Sequence, residues 1–269
     1  MKDYKTQYGP WALVTGASSG IGKEFTRQLA ATGLNLVLTA RRIDRLDEMA
    51  ENLKKEYSIE VRTVQADLSK PDAVEILAKA TAGLEIGMLV NSAGVETHGA
   101  FLKNDRQQER DLIQLNAITP MELAHHFGLK MAERKRGGII FVSSTLGYQA
   151  VPFFANYAAS KAYIATFGEA LNYELKKQGV DVTVLSPGLT NTEMYAKMDG
   201  VEWSKMPVGL MEVEPVVTTA LAALGKKYSV IPGGRNNFMA FLSKRLLSRK
   251  ANAEMFGSMM EKAMAENKL

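Results

Sequence analysis

Short apolar runs alternate with longer stretches of helical periodicity along the chain. The runs are Trp11-Ala12-Leu13-Val14-Thr15, Leu34 to Thr39, Glu60 to Ala66, Gly87 to Val90, Gly138 to Val142, Val180 to Leu185 and Tyr228 to Ile231. Most are nearly continuous in Val, Ile and Leu, so they read as strands covered on both faces. Helical patterning follows: to Ala31, with Gly33 as the cap, then Ile43 to Tyr57, then a stretch to Ala82 where Ser69 and Pro71 supply N-cap and first-turn chemistry. Asp105 to Arg134 reads as a long helical stretch interrupted by Pro120, and another helix takes in Asn156 and runs through Leu175. Proline has no N–H, so Pro120 would leave the carbonyl of Asn116 without its helical partner, to be met by a bound water or absorbed in a simple kink. Strand and helix in alternation predict an α/β chain: a single-domain, Rossmann-type, doubly wound parallel sheet of about seven strands with helices on both faces.

Composition narrows what such a sheet would serve. With 269 residues and 46% hydrophobic content the chain can bury a sizeable core. No linker, repeat or low-complexity stretch divides it, so 1–269 is expected to be one domain. The net charge of +4 is small and its cations are scattered among acids, which points away from nucleic acid. There is no cysteine for a disulfide or thiolate site, as suits a reducing compartment, and His98, His125 and His126 lack metal-site spacing, so no metal is expected. Met1 to Pro10 is polar rather than a secretory signal, and no apolar run approaches the ~20 residues needed to span a bilayer. A soluble, cytoplasmic protein is the expectation.

Residues of chemical character collect where the strands end. The first strand runs into Gly16-Ala17-Ser18-Ser19-Gly20-Ile21-Gly22, a concavity of backbone N–H groups at a helix start that suits pyrophosphate. Gly16 would make the turn, Gly20 would admit phosphate and Gly22 would let helix and strand pack, although the spacing departs from G-x-G-x-x-G and an ordinary tight turn is the plain alternative. The second strand ends Ala40-Arg41-Arg42. With no carboxylate there for a ribose 2′-hydroxyl and two guanidiniums for a 2′-phosphate, NADP(H) is the expected cofactor, and Arg42 more than Arg41 is expected to be a solvated residue of the next helix. Asp67, before Leu68, would accept from an adenine amino group or simply close a turn. Asn91-Ser92-Ala93-Gly94 leaves room for a flat ring or makes a tight turn. Ser143 and Ser144 end a central strand where substrates bind in this architecture, and the segment Ser186 to Thr192 would edge a nicotinamide pocket.

Tyr157 and Lys161 lie four residues apart, on one face of a helix. A phenol has a reference pKa of about 10 and a nearby ammonium favours its ionised form, so Lys161 would make Tyr157 a usable proton donor and acceptor. A buried ring beside a solvated charge is the plain alternative.

As an ordered set, Thr15-Gly16-x-x-x-Gly20-x-Gly22, Asp67, Asn91-x-Ala93-Gly94, Asn116, Ser144, Tyr157-x-x-x-Lys161 and Pro187-Gly188 resemble the classical short-chain dehydrogenases/reductases, across Thr15 to Thr192. The resemblance implies a catalytic set. Tyr157 would be the general acid/base, Lys161 would lower its pKa and hold the nicotinamide ribose, Ser144 would hydrogen-bond the substrate carbonyl, and Asn116 would hold a water linking Lys161 to solvent. Ser144 is preferred to Ser143 because it stands thirteen residues before Tyr157, the family's usual offset. Ser92 departs from the more usual second Asn of its turn. The implied cofactor contacts are Gly16, Ser18, Ser19, Gly20, Ile21, Arg41, Arg42, Asp67, Leu68, Asn91, Ala93, Gly94, Tyr157, Lys161, Pro187, Gly188, Thr190 and Thr192. A homodimer or homotetramer packed through the Asp105 and Tyr157 helices is implied as well.

The activity expected is an NADPH-dependent carbonyl reductase or alcohol dehydrogenase acting on a ketone, apolar and 3-oxoacyl or steroid-like. Its rival is a non-catalytic NADPH sensor signalling through its C-terminal surface, which would not need Ser144, Tyr157 and Lys161 together. The resemblance makes the segment 189–213 a substrate lid. Its Met194, Tyr195, Met198, Val201, Trp203, Met206, Val208, Leu210 and Met211 suit an irregular apolar ligand or the packing of a covering loop. From Asn236 to the C-terminus, apolar residues recur at helical spacing with Lys244, Arg245, Arg249 and Lys250 between them. That extension would cap the pocket, pack at a subunit interface or lie on a membrane surface, and burial within the protein or oligomer is preferred.

Overall fold

The computed structural model describes residues 3–205 and 209–265. Met206 and Val208 of the expected lid, the side chain of Lys244 and the tail after residue 265 lie outside the described residues. The strands are β1 (Trp11–Thr15), β2 (Asn35–Ala40), β3 (Val61–Gln65), β4 (Ile86–Asn91), β5 (Gly137–Val142), β6 (Val180–Leu185) and β7 (Ser229–Val230). The helices are α1 (Tyr4–Tyr8), α2 (Gly20–Ala30), α3 (Ile43–Tyr57), α4 (Ala73–Ala80), α5 (Arg106–Ile113), α6 (Thr119–Glu133), α7 (Ala155–Lys176), α8 (Glu193–Ala196), α9 (Val213–Ala223), α10 (Gly234–Arg245) and α11 (Arg249–Ala263).

The strands pair in parallel in the order β3-β2-β1-β4-β5-β6-β7. β1, β4 and β5 are buried at every residue, which is why their sequences are continuous apolar runs. One face carries Phe25 and Leu29 of α2, Leu46 of α3 and Val216, Val217 and Leu221 of α9. The other carries Leu77 of α4, Leu123 and Phe127 of α6 and Ile164 of α7. Winding reverses between β1 and β4, and such a switch point opens a crevice at the carboxyl ends of the strands.

α7 is drawn unusually close to the sheet. A Cβ added at Gly168 would lie 2.5 Å from Val184 Cγ2 and 3.0 Å from Phe141 Cδ2, so only glycine lets the helix sit there. That contact sets the height of Tyr157 and Lys161, about three and two turns earlier on the same helix.

Several boundaries differ from the expected ones. Ser69 does not cap a helix: its hydroxyl and amide both go to Asp67 Oδ1, at 2.8 and 3.1 Å, and α4 starts only at Ala73. The Asp105–Arg134 stretch is two helices joined by a π-helical turn at Gln114–Ile118, where the Thr119 N–H bonds Gln114 O, five residues back. Pro120 then falls in the first turn of α6, where a missing N–H is tolerated, so the sequence break is a change of ladder rather than a simple kink. β7 is shorter than its apolar run, and the C-terminal stretch breaks at Leu246–Ser248, with Ser248 Oγ capping α11 through Ala251 N at 3.1 Å. α1 was not expected. Its Tyr4 and Tyr8 are buried, and the Tyr8 hydroxyl donates to Asp181 Oδ2 at 2.7 Å.

Candidate active site

The turn between β1 and α2 needs its glycines. Gly16 and Gly20 take φ of +66° and +53°, and a Cβ on Gly16 would lie 2.8 Å from Ala93 Cα. A Cβ on Gly22 would lie 2.3 Å from Gly16 O, so the helix closes directly onto the turn. Thr15 holds the neighbouring loop in place: its Oγ1 accepts from Ser92 N and Ala93 N, both at 3.0 Å. The amide-lined start of α2 therefore faces a fixed β4 loop across the switch point, which is the geometry for a pyrophosphate.

Tyr157, Lys161 and Ser144 meet on the other side of the crevice, all buried. Lys161 Nζ lies 5.7 Å from the Tyr157 ring centroid and donates to Val142 O at 3.0 Å, which ties α7 to the end of β5. Ser144 stands beside the Tyr157 phenol, whereas Ser143 turns away and donates to Lys161 O at 2.7 Å. Burial pushes the phenol up to about 12; the nearby Ser144 hydroxyl opposes that rise and the charge of Glu96 adds to it. Burial also holds the Lys161 ammonium down, at about 8. The low-dielectric setting disfavours both charges, and it outweighs the Tyr157–Lys161 attraction that the spacing alone brings to mind.

A single cavity of about 530 Å³ runs from Ser18 and Arg42, past Gly94 and Lys161, to Tyr157 and on into an apolar chamber. Leu146, Val151, Phe154, Met198, Trp203, Phe256 and Met260 line that chamber. Residues of the glycine turn, the loops after β4 and β6, the end of β5 and α7 thus share one continuous space with the segment 189–203 and the C-terminal helix. The elongated shape, with N–H donors at one end and an acid/base set at the other, fits a dinucleotide followed by a bulky apolar molecule.

A family model for the short chain dehydrogenases matches residues 10–202. A 7beta-hydroxysteroid dehydrogenase of Clostridium sardiniense is 35% identical over 87% of this chain and 89% of its own length. A solved structure from work on 7beta-hydroxysteroid dehydrogenase stereoselectivity superposes with a TM-score of 0.87, at 31% identity over 95% of this chain and 99% of that one. A short-chain dehydrogenase from Sphingobium yanoikuyae, solved in complex with NADPH, gives a TM-score of 0.76 at 28% identity, covering 90% and 100% of the two chains. The chain belongs to the short-chain dehydrogenase/reductase family. It is an oxidoreductase acting on a CH–OH group.

The short-chain dehydrogenase motifs that the sequence carries are not all placed alike. Gly16, Ser18, Ser19, Gly20, Ile21, Arg41, Arg42, Leu68, Ala93, Gly94, Pro187, Gly188, Thr190 and Thr192 line the cavity with Tyr157 and Lys161. Asn91 and Asp67 do not; the Asn91 side chain is buried beneath the site, and one oxygen of Asp67 is spent on Ser69. Asn116 sits on the π turn behind Gly94, donating to Val95 O at 2.8 Å and Ser160 Oγ at 3.1 Å while accepting from Val95 N at 3.0 Å. Arg42 rather than Arg41 is the engaged guanidinium, bonded to Ser18 Oγ at 3.1 Å and Glu193 Oε2 at 2.8 Å. Glu193, a residue remote in sequence, draws Arg42 across the mouth, while Arg41 lines the same cavity.

Glu96, Glu193, Asn236, Phe256 and Met260 reach the cavity without having been picked out as site residues. Glu96 stands within electrostatic reach of Tyr157, and its Oε2 pairs with His98 Nδ1 at 2.9 Å. His98 Nε2 in turn lies 2.9 Å from Asp199 O, so that histidine joins the pocket wall to the segment after α8. A Glu two positions before a His carries no family signature, and only the fold brings the pair to the site. Among the described residues no helix is long and apolar enough to cross a membrane.

Proposed function

We propose that the protein is an NADP(H)-dependent hydroxysteroid dehydrogenase or a ketone reductase of similar substrate size. The observation that carries this reading is the continuity of the cavity from the Arg42–Ser18 end, past buried Tyr157 and Ser144, into the apolar chamber. The relative from Clostridium sardiniense supports the steroid class, and the NADPH complex of the Sphingobium relative supports the cofactor.

When bound, the nicotinamide supplies hydride to the carbonyl carbon. Tyr157, protonated throughout the neutral range at a pKa of about 12, gives its proton to the oxygen as charge develops there. Ser144, whose hydroxyl stands beside the phenol, hydrogen-bonds that same oxygen and orients the carbonyl. Lys161, still charged at neutral pH, faces the phenolate that Tyr157 becomes and favours its formation. Asn116 positions the Gly94–Val95 backbone beside Lys161: a Cβ on Gly94 would lie 3.3 Å from Lys161 Nζ and 3.4 Å from Asn116 Oδ1. Phe154, Trp203 and Met260 exclude water and accept a rigid apolar skeleton.

We further read the chain as one functional domain, placed in the cytoplasm and assembled as a homodimer or homotetramer. Leu129 of α6 and Tyr163 and Tyr173 of α7 support an assembly surface, because each is exposed despite its apolar ring or chain. The test of function is oxidation of NADPH and NADH with steroid ketones, 3-oxoacyl thioesters and small polar carbonyls. Turnover of the steroid ketones, faster with NADPH, is expected. Turnover confined to small polar carbonyls would reject the apolar substrate class, and a preference for NADH would reject the cofactor.

A further inference from the structure

At the end of the cavity away from Tyr157 a carboxylate of the lid occupies a clamp of two guanidiniums. Glu193, the first residue of α8, has Oε2 at 2.8 Å from Arg42 Nη1 and Oε1 at 2.6 Å from Arg45 Nη1. Arg42 Nη2 also donates to Ser18 Oγ at 3.1 Å, so the glycine turn, the start of α3 and the lid share one network. The side chains of Arg42, Arg45 and Glu193 are 37%, 51% and 41% exposed, so water competes for every pair and the bridge is easily exchanged. Guanidinium forks bind carboxylate and phosphate with the same geometry.

We propose that Glu193 is an internal stand-in for the cofactor's 2′-phosphate, and that exchange of the one for the other releases α8. The inference rests on the NADP(H) reading and deepens it. It assigns Arg45, which no motif singles out, to the phosphate clamp together with Arg42. A phosphate ester carries about two charges and three acceptor oxygens against the single charge of a carboxylate, so the exchange runs toward phosphate, and the two anions repel each other. α8 is one helical turn between Thr192, whose Oγ1 caps it through Tyr195 N at 3.3 Å, and Lys197. Met194 and Tyr195 on that turn line the cavity, and the Tyr195 ring lies 6.0 Å from that of Trp203. A dinucleotide without the 2′-phosphate has nothing to exchange and leaves α8 held. Cofactor identity is thereby coupled to the shape of the substrate pocket.

The probe is 2′,5′-ADP, which carries the phosphate but no nicotinamide, with 5′-AMP, the same molecule without the 2′-phosphate, as its control. Binding is measured by calorimetry and the lid is followed through Trp203 emission, assigned by its loss in Trp203→Phe. In the wild type 2′,5′-ADP is expected to bind more tightly than 5′-AMP and to change Trp203 emission. Glu193→Gln should bind 2′,5′-ADP about three- to ten-fold tighter, with Trp203 already shifted and no longer responding. Arg45→Ala should weaken 2′,5′-ADP by a similar factor and leave 5′-AMP unaltered. Equal affinity in wild type and Glu193→Gln, a retained Trp203 response in that variant, or an unweakened Arg45→Ala would overturn the proposal. Failure of the wild type itself to prefer 2′,5′-ADP over 5′-AMP would instead overturn the NADP(H) reading beneath it.

Discussion

Tyr157 and Lys161 are pulled by burial toward their uncharged forms, from opposite sides of neutrality. For Lys161 the consequence is measurable without substrate. Its ordinary pKa is 10.5 and its native one is about 8, so between those values the unfolded chain holds a proton that the native chain has lost, and stability rises with pH through that window. The full shift corresponds to something on the order of 3 kcal/mol. Denaturant unfolding of wild type and Lys161→Met should show the wild type gaining on the variant by that order from pH 8 to 10.5; a gap that is flat or moves the other way speaks against the buried ammonium. Ketone reduction should fall as pH rises through about 8, because the charge that favours the phenolate is lost there. At this scale the sequence was legible where spacing along one element decides. The i, i+4 offset put Tyr157 and Lys161 together, and a familiar offset picked Ser144 over Ser143. It was not legible where a remote partner decides: Glu193 engages Arg42 while Arg41 stays exposed, and Ser69 occupies one oxygen of Asp67.

Whole elements bring these residues within reach of one another. The loop after β5 carries Ser144 and lies directly on α7: a Cβ on Gly147 would fall 2.7 Å from the Lys161 carbonyl carbon and 2.9 Å from Ala162 N. Both are backbone atoms and cannot yield, so Gly147→Ala must lift the loop and draw Ser144 off Tyr157. Turnover is expected to drop about 10²-fold with a stability cost of only about 1–3 kcal/mol, read by kcat and by urea unfolding in parallel. A kcat unchanged from wild type would mean that the loop does not set the position of Ser144. Apolar periodicity found β1, β2, β4, β5, β6, α3 and α7 with ends correct to within about two residues. It could not see the π turn around Asn116, because a hydrogen-bond ladder stepping from four residues to five leaves the same apolar faces. It missed α1 because two buried tyrosines within a polar decapeptide make no periodic signal.

At the scale of the whole molecule the chain folds back on its own pocket. Glu202 N bonds Ala263 O at 2.7 Å and Ala265 N bonds Gly200 O at 2.9 Å, so the segment 200–202 and the C-terminal helix are laced together while Phe256 and Met260 face the cavity. On α11, Phe256 and Met260 line the cavity, which is the placement a pocket cap would need. Composition and spacing left that choice open, since an apolar stripe looks the same whether it covers a ligand or another subunit. Deleting Ser248 to Leu269 should raise KM for steroid ketones at least about tenfold, as apolar contact and water exclusion are lost, while 2′,5′-ADP binds as before. An unchanged KM would place α11 outside substrate recognition.

The central claim is that the Tyr157 hydroxyl delivers the proton to the oxygen being reduced. It is tested most directly by single-turnover consumption of NADPH with a steroid ketone, wild type against Tyr157→Phe, a change that removes one oxygen atom and leaves the ring. The variant should bind NADPH as the wild type does and consume it about 10²–10⁴-fold more slowly. Equal rates in the two proteins would contradict the account.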